Sequence, residues 1–167
     1  MLEIAIDTDE EWDSSRSWDE LARKAATAAI AQSDYPELAD SQRSVEISVT
    51  LTGDEEVRAL NAQWRGKDKP TNVLSFPLSE EGDLAQAKVA GPELLLGDII
   101  IARGVCAAEA VEKGVTVEQH ATHLIVHGTL HLLGYDHHDD GEAEDMEARE
   151  VRALASLGIA NPYEVTV

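Results

Sequence analysis

At 167 residues and 43% apolar composition, the chain has the size and apolar content of one globular domain. A formal net charge of −20 argues against broad electrostatic binding to nucleic acid, itself a polyanion, and leaves only a local basic patch for that purpose. No apolar run approaches the ~20 residues that span a bilayer, Met1 to Asp7 lacks the regions of a secretory signal, and the lone Cys106 suits a reducing cytoplasm as a small core residue.

Leu2, Ile4 and Ile6 alternate with polar or small neighbours and predict a first strand. Ser17 and Glu20 form the pattern of a capping box, which opens a helix to about Gln32. The acidic stretch around Tyr35 and Pro36 reads as a loop, and Val45, Ile47, Val49 and Leu51 mark a second strand. A second capping box, Thr52 to Glu55, opens a helix through Val57, Leu60 and Trp64. Arg65 to Thr71 is a loop broken by Gly66 and Pro70, and Val73 to Phe76 is a short strand ending at Pro77. Ser79 to Gly91, acidic and glycine-containing, is expected to be an exposed loop. Leu94 to Ile101 reads as a central strand interrupted at Gly97 and Asp98, followed by a helix from Arg103 to Lys113 closed by Gly114. A third capping box, Thr116 to Gln119, opens a helix running to Leu133. Asp139 to Gly141 is a turn, and Glu142 to Leu157 a final amphipathic helix. Helices and strands mix without strict alternation. The expected fold is α+β, a single compact domain with a small mixed sheet of about four strands covered by helices.

Chemistry concentrates between residues 127 and 137. His127 and His131 lie four apart on a predicted helix and so share one face. Gly134 lets the chain leave that helix with positive φ and fold back, bringing His137 to the same ion. Three neutral nitrogen ligands leave the fourth tetrahedral position of zinc open, which suits catalysis rather than a closed structural site. The spacing is similar to that of the metzincin proteases, but those carry a glutamate directly after the first ligand and here the position is Gly128. The general base of peptide hydrolysis is therefore missing. His120, His123, His127 and His131 form one helical stripe, and unliganded imidazoles facing a core would leave polar groups unmet. His120 reads as surface decoration and His138 as pointing elsewhere. His123 is a partner of the centre, a substrate contact or a hydrogen-bonded core residue, and Asp136 orients an imidazole, accepts a proton from bound water or belongs to the helix-end surface. Arg65, Lys67 and Lys69 are the densest basic cluster of the chain and suit phosphate contact beside a metal centre.

The segment His127-Gly-Thr-Leu-His131-Leu-Leu-Gly-Tyr-Asp-His137 resembles the signature of the YbeY family of bacterial ribosomal-RNA maturation endoribonucleases. Leu60-Asn61 with Trp64 to Pro77, and Leu96 to Ile99, resemble two further family blocks in the same order. One departure is Asn72, where the family often has aspartate. The resemblance implies a compact α+β domain and one zinc or similar divalent ion on the three histidines. It implies single-strand-specific endoribonuclease activity in maturation of the 16S ribosomal RNA 3′ end and in ribosome quality control. Single-stranded RNA and the small ribosomal subunit or one of its proteins are then the partners, with no membrane, and the family's catalytically important arginine falls on Arg65. The competing readings are a metal-dependent peptidase or amidase, a ribosome-assembly factor with a purely structural metal, and a stand-alone RNA-binding module; no broad basic face or aromatic stacking pattern supports the last.

Overall fold

The computed structural model describes residues 1–13, 17–85 and 91–163. Four strands form one mixed sheet in the order β1-β2-β4-β3. β1 (Leu2–Thr8), β2 (Val45–Thr52) and β4 (Leu94–Ala102) run parallel, and β3 (Val73–Pro77) is antiparallel to β4 at the edge. Period-two alternation explains β2, in which Val45, Ile47, Val49 and Leu51 are all buried. β4 is not interrupted at Gly97. It absorbs the irregularity as a bulge, with Glu46 opposite Leu95 and Ile47 opposite Gly97, so that Leu96 is the extra residue. Gly97 has φ +146°, and a Cβ there would lie 2.3 Å from the Phe76 carbonyl oxygen and 2.7 Å from Leu132 Cδ2. Only glycine allows the bulge and the close approach together.

The helices are α1 (Trp18–Ala31), α2 (Asp54–Arg65), α3 (Glu81–Ala85), α4 (Arg103–Lys113), α5 (Val117–Leu132) and α6 (Asp140–Ser156), with a 3-10 turn at Pro36–Ala39. α5 is the central helix: it packs on β3 and β4 and is flanked by α1, α4 and α6. Its flanks are so well covered that Ala121 to Val126 are buried without a break. The main apolar core joins the sheet to α1, α5 and α6 through residues such as Ile47, Leu51, Ile99, Ile125, Leu130 and Leu154.

Several local expectations are corrected. Of the three capping boxes only that of α5 forms, with Thr116 Oγ1 accepting from the Gln119 N–H and Gln119 Oε1 accepting from the Thr116 N–H. Thr52 is still strand, paired with Ala102, and its hydroxyl donates to Glu56, so the N-cap of α2 passes to Gly53. Ser17 precedes α1 but makes no side-chain cap; the entry is fixed instead by buried Trp18, whose Nε1 donates to the Asp13 carbonyl and whose ring meets Trp12 edge-on. Ser79 to Gly91 is not all loop: α3 lies in it and buries Leu84, while residues 86–90 fall outside the described part. Tyr35 and Pro36 lead into the 3-10 turn, which buries Leu38. Among the described residues no helix is long and apolar enough to cross a membrane.

Candidate metal centre

The centre is built at the C-terminal end of α5. Gly134 takes φ +96°, its N–H donates to the His131 carbonyl, and the Tyr135 N–H reaches back to the Leu130 carbonyl. This is a Schellman closure, which satisfies the last carbonyls of the helix and reverses the chain. The reversal carries His137 back towards the helix. One nitrogen from each of His127, His131 and His137 falls within a group spanning no more than 4.8 Å, with His127 and His131 half-buried and His137 exposed. The slack relative to the about 3.3 Å between nitrogens on a tetrahedral zinc lies with His137, because His127 Nε2 and His131 Nε2 are 3.0 Å apart.

Hydrogen bonding on the far side of each ring decides what those two nitrogens are. His131 Nδ1 lies 2.9 Å from the Tyr135 carbonyl oxygen, which can only accept, so Nδ1 carries the proton. His127 Nδ1 lies 3.1 Å from Glu150 Oε1. Burial of Glu150 opposes its ionisation, but hydrogen bonds from His123 and His127 outweigh burial and bring its pKa down to about 2. As a carboxylate it also only accepts, so His127 Nδ1 is the donor. Two Nε2 lone pairs therefore face each other at 3.0 Å. Neutral imidazoles in that arrangement repel unless a cation sits between them, and the donor set fits a divalent ion that takes nitrogen ligands. Burial, with His127 nearby, lowers the His131 pKa to about 4, which keeps the ring neutral and available as a ligand at neutral pH.

The same end of α5 opens into a cavity of about 720 Å³ lined by Arg65, Lys67, Lys69, Asn72, Glu109 and Asp136 together with the three histidines. The basic loop is held over it from below. Buried Asn61 donates through Nδ2 to the Lys69 carbonyl, its own carbonyl accepts from the Lys67 N–H, and Gly66 turns the chain with φ +68°. Arg65 is exposed, donates through Nη2 to the Ser75 carbonyl at 2.9 Å and lies 5.7 Å from the Phe76 ring centre. One edge of its guanidinium is thus anchored on β3, and its other N–H groups have no hydrogen-bond partner among the described residues.

Gly128 leaves no room for a glutamate after His127. A Cβ there would stand 3.0 Å from Ile99 Cγ2 and 3.1 Å from Ser75 Oγ, so the position faces the sheet and not the histidines. His120 is not surface decoration: it is 3% exposed, and its Nε2 pairs with Glu109 Oε1 at 2.8 Å. Glu109 also accepts from Asn72 Nδ2 at 3.1 Å. An aspartate at position 72 would set a second carboxylate beside Glu109, so the amide is the form that bonds there. His123 resolves as a buried histidine bonded to Glu150 and to the Tyr163 hydroxyl. Asp136 accepts from the His137 backbone N–H and pairs with His138. Burial works against its charge, but that N–H and the neighbouring imidazoles prevail and lower its pKa, so a carboxylate borders the cavity.

Glu109 and Glu150 are the functional-site residues that sequence reasoning missed. For Glu150 a signal exists, since Met146, Glu150, Ala153 and Leu154 fall on one face of α6 and all are buried. A glutamate on an apolar stripe needs a partner.

The family model described as Endoribonuclease YbeY matches residues 5–158. A relative from Rhizorhabdus wittichii, named Endoribonuclease YbeY, is 53% identical over 168 residues and covers 99% of both chains. One of the same name from Novosphingobium aromaticivorans is 54% identical, covering 97% of this chain and 96% of its own. The solution structure of TM1509 from Thermotoga maritima shares the fold with a TM-score of 0.53 at 25% identity, covering 98% of this chain and 100% of the other. With a match across nearly its whole length and half its residues shared with such relatives, the chain belongs to the YbeY endoribonuclease family.

Proposed function

We propose that this chain is a metal-dependent endoribonuclease that cuts single-stranded RNA, with one zinc or similar divalent ion held by His127, His131 and His137 and with Arg65 as the phosphate-gripping residue. The observation that carries the reading is the common cavity: three convergent imidazoles and the loop bearing Arg65, Lys67 and Lys69 line the same space. When bound, such an ion supplies Lewis-acid polarisation of a phosphoryl oxygen and a lowered water pKa. Arg65 lines the cavity and keeps a planar fork of N–H groups that matches two phosphate oxygens. Lys67 and Lys69 add point charge along the strand's path. As imidazole ligands His127 and His131 would contribute lone pairs without cancelling the charge of the ion, which suits a transition state that gathers negative charge on phosphoryl oxygens.

The metal-dependent peptidase is disfavoured because Gly128 packs against Ile99 and Ser75, where no side chain can act as base. The finer reading extends to substrate and place. The relatives' shared name supports RNA as the substrate, and the resemblance of the sequence blocks to the family implies ribosomal RNA, with the 3′ end of the 16S species as the cleavage region. Much of the surface is acidic, which favours delivery of that RNA by a protein of the small ribosomal subunit over general RNA affinity. The whole 167-residue chain would act as one catalytic domain, in the cytoplasm, where a lone buried thiol such as Cys106 is at home.

Cleavage of matched single-stranded and duplex RNA by the zinc-loaded wild type and by Arg65→Lys tests this reading. Cleavage of the single strand alone, lowered about 10²-fold in Arg65→Lys with unchanged folding, is the expected result. Equal rates for wild type and Arg65→Lys would remove Arg65 from the chemistry, and cleavage of peptides without RNA cleavage would overturn the function.

A further inference from the structure

Glu150 is a charged side chain with 1% exposure, on α6, a helix that contributes no candidate ligand. Three groups converge on a single oxygen of it: His127 Nδ1 at 3.1 Å, His123 Nε2 at 2.8 Å and the Tyr163 hydroxyl at 2.9 Å all meet Oε1. Its other oxygen, Oε2, and His123 Nδ1 are buried without a hydrogen-bond partner among the described residues. A carboxylate kept only for stability is a poor solution here, because burial of charge and an unpaired oxygen both cost free energy that an apolar side chain of similar volume would avoid. What the carboxylate does that an apolar residue cannot is to accept a proton-bearing Nδ1 from the first of the three candidate ligands.

We infer that Glu150 is a positioning residue of the metal centre: it fixes His127 in the Nδ1-protonated form with Nε2 directed at the ion, and strengthens that ring as a ligand through its negative charge. A metal-bound imidazole whose opposite nitrogen donates to a carboxylate is held in one ring orientation and one tautomer, and is the more basic for it. His123 and Tyr163 hold the carboxylate in turn. Tyr163 donates its hydroxyl to Oε1, and its ring stands edge-on to that of His123 at 5.5 Å. Tyr163, beyond α6, thereby braces the back of the centre, and ion affinity becomes a property of α5 and α6 together. The contrast with His131 sharpens the assignment. That ring is oriented by the backbone carbonyl of Tyr135, which no substitution of a side chain removes, whereas His127 depends on one replaceable group.

The inference rests on the reading of His127 as a ligand, and the test separates the two. Zinc affinity is measured by competition with a chromophoric chelator for wild type, Glu150→Gln, Glu150→Leu and His127→Ala, with thermal unfolding of each apo-protein in parallel. The nitrogen chemical shifts of His127 in the apo-proteins report its tautomer. Glutamine keeps an acceptor but loses the charge, and leucine loses both, so affinity is expected to fall about 10-fold in Glu150→Gln and about 10²-fold in Glu150→Leu. The Nδ1-protonated form should dominate in wild type and be lost in Glu150→Leu. A folded Glu150→Gln protein that binds zinc within twofold of wild type overturns the role of Glu150, and this arm stands even where Glu150→Leu does not fold. If that result accompanies loss of binding in His127→Ala, the ligand reading survives and only the positioning role falls. Absence of zinc binding by wild type removes both.

Discussion

His127 and His131 are oriented by what stands behind them: a buried carboxylate for one and the helix-terminating carbonyl of Tyr135 for the other. Their four-residue spacing was legible in the sequence because α-helical geometry turns spacing directly into proximity. The partners were not, since His127 and Glu150 are 23 residues apart and meet only through the packing of α5 on α6. Glu150 also sits in a helix that carries Glu142, Glu144, Asp145 and Glu147, where composition alone reads every acid as solvated surface. His120 was misread for the same reason, as its cover comes from α4 through Glu109. Cys106 shows burial acting on a single side chain. Desolvation raises its thiol pKa to about 12, with Arg103 offsetting it in part and Glu109 and Glu118 adding to it. The thiolate being the nucleophile, Cys106 is expected to resist iodoacetamide at pH 8 in the native protein and to react fully after denaturation. Rapid stoichiometric alkylation of the folded chain, followed by mass spectrometry, would contradict its assignment to the core.

α5 is where local sequence and tertiary packing agree. Its capping box forms as written, its end is closed by Gly134, and its apolar residues meet a continuous core. The other two capping patterns fail because neighbouring elements compete for the same residues: Thr52 is retained by the sheet, and the start of α1 is fixed by Trp18. β4 was readable as a strand, yet its bulge was not, because the need for Gly97 arises from the approach of Phe76 and Leu132, which are remote in sequence. Gly97→Ala is expected to cost about 3 kcal/mol through a disfavoured φ and backbone overlap. That corresponds to a fall in melting temperature of roughly 6–12 °C for a chain of this size. An unchanged melting curve would show that the bulge is not required. Gly128→Glu would restore the protease-like spacing but push a carboxylate between Ile99 and Ser75. The expected outcome is destabilisation by about 3 kcal/mol or more, with no gain of peptide cleavage, read by thermal unfolding and a peptide-release assay.

Across the molecule, acidic charge and RNA chemistry are reconciled by confinement. Arg65, Lys67 and Lys69 gather at one cavity, and acids such as Glu142, Glu144 and Glu147 are exposed on α6. Three phosphate contacts to single-stranded RNA would give log K against log salt concentration a slope of about −2. A slope of −5 or steeper in a fluorescence titration would mean a far broader basic surface than this one. The α+β class and the mixed sheet followed from strand alternation and helix patterning. The strand order β1-β2-β4-β3 did not, because it depends on which crossovers α1 and the connection after β2 allow. We propose that one ion on three histidines makes the nuclease. The most direct measurement is metal content by mass spectrometry on wild type and His131→Ala, each purified without chelators and assayed for single-stranded RNA cleavage. One ion per wild-type chain, lost in His131→Ala together with cleavage, is the result predicted; a metal-free wild type that still cleaves RNA would contradict it.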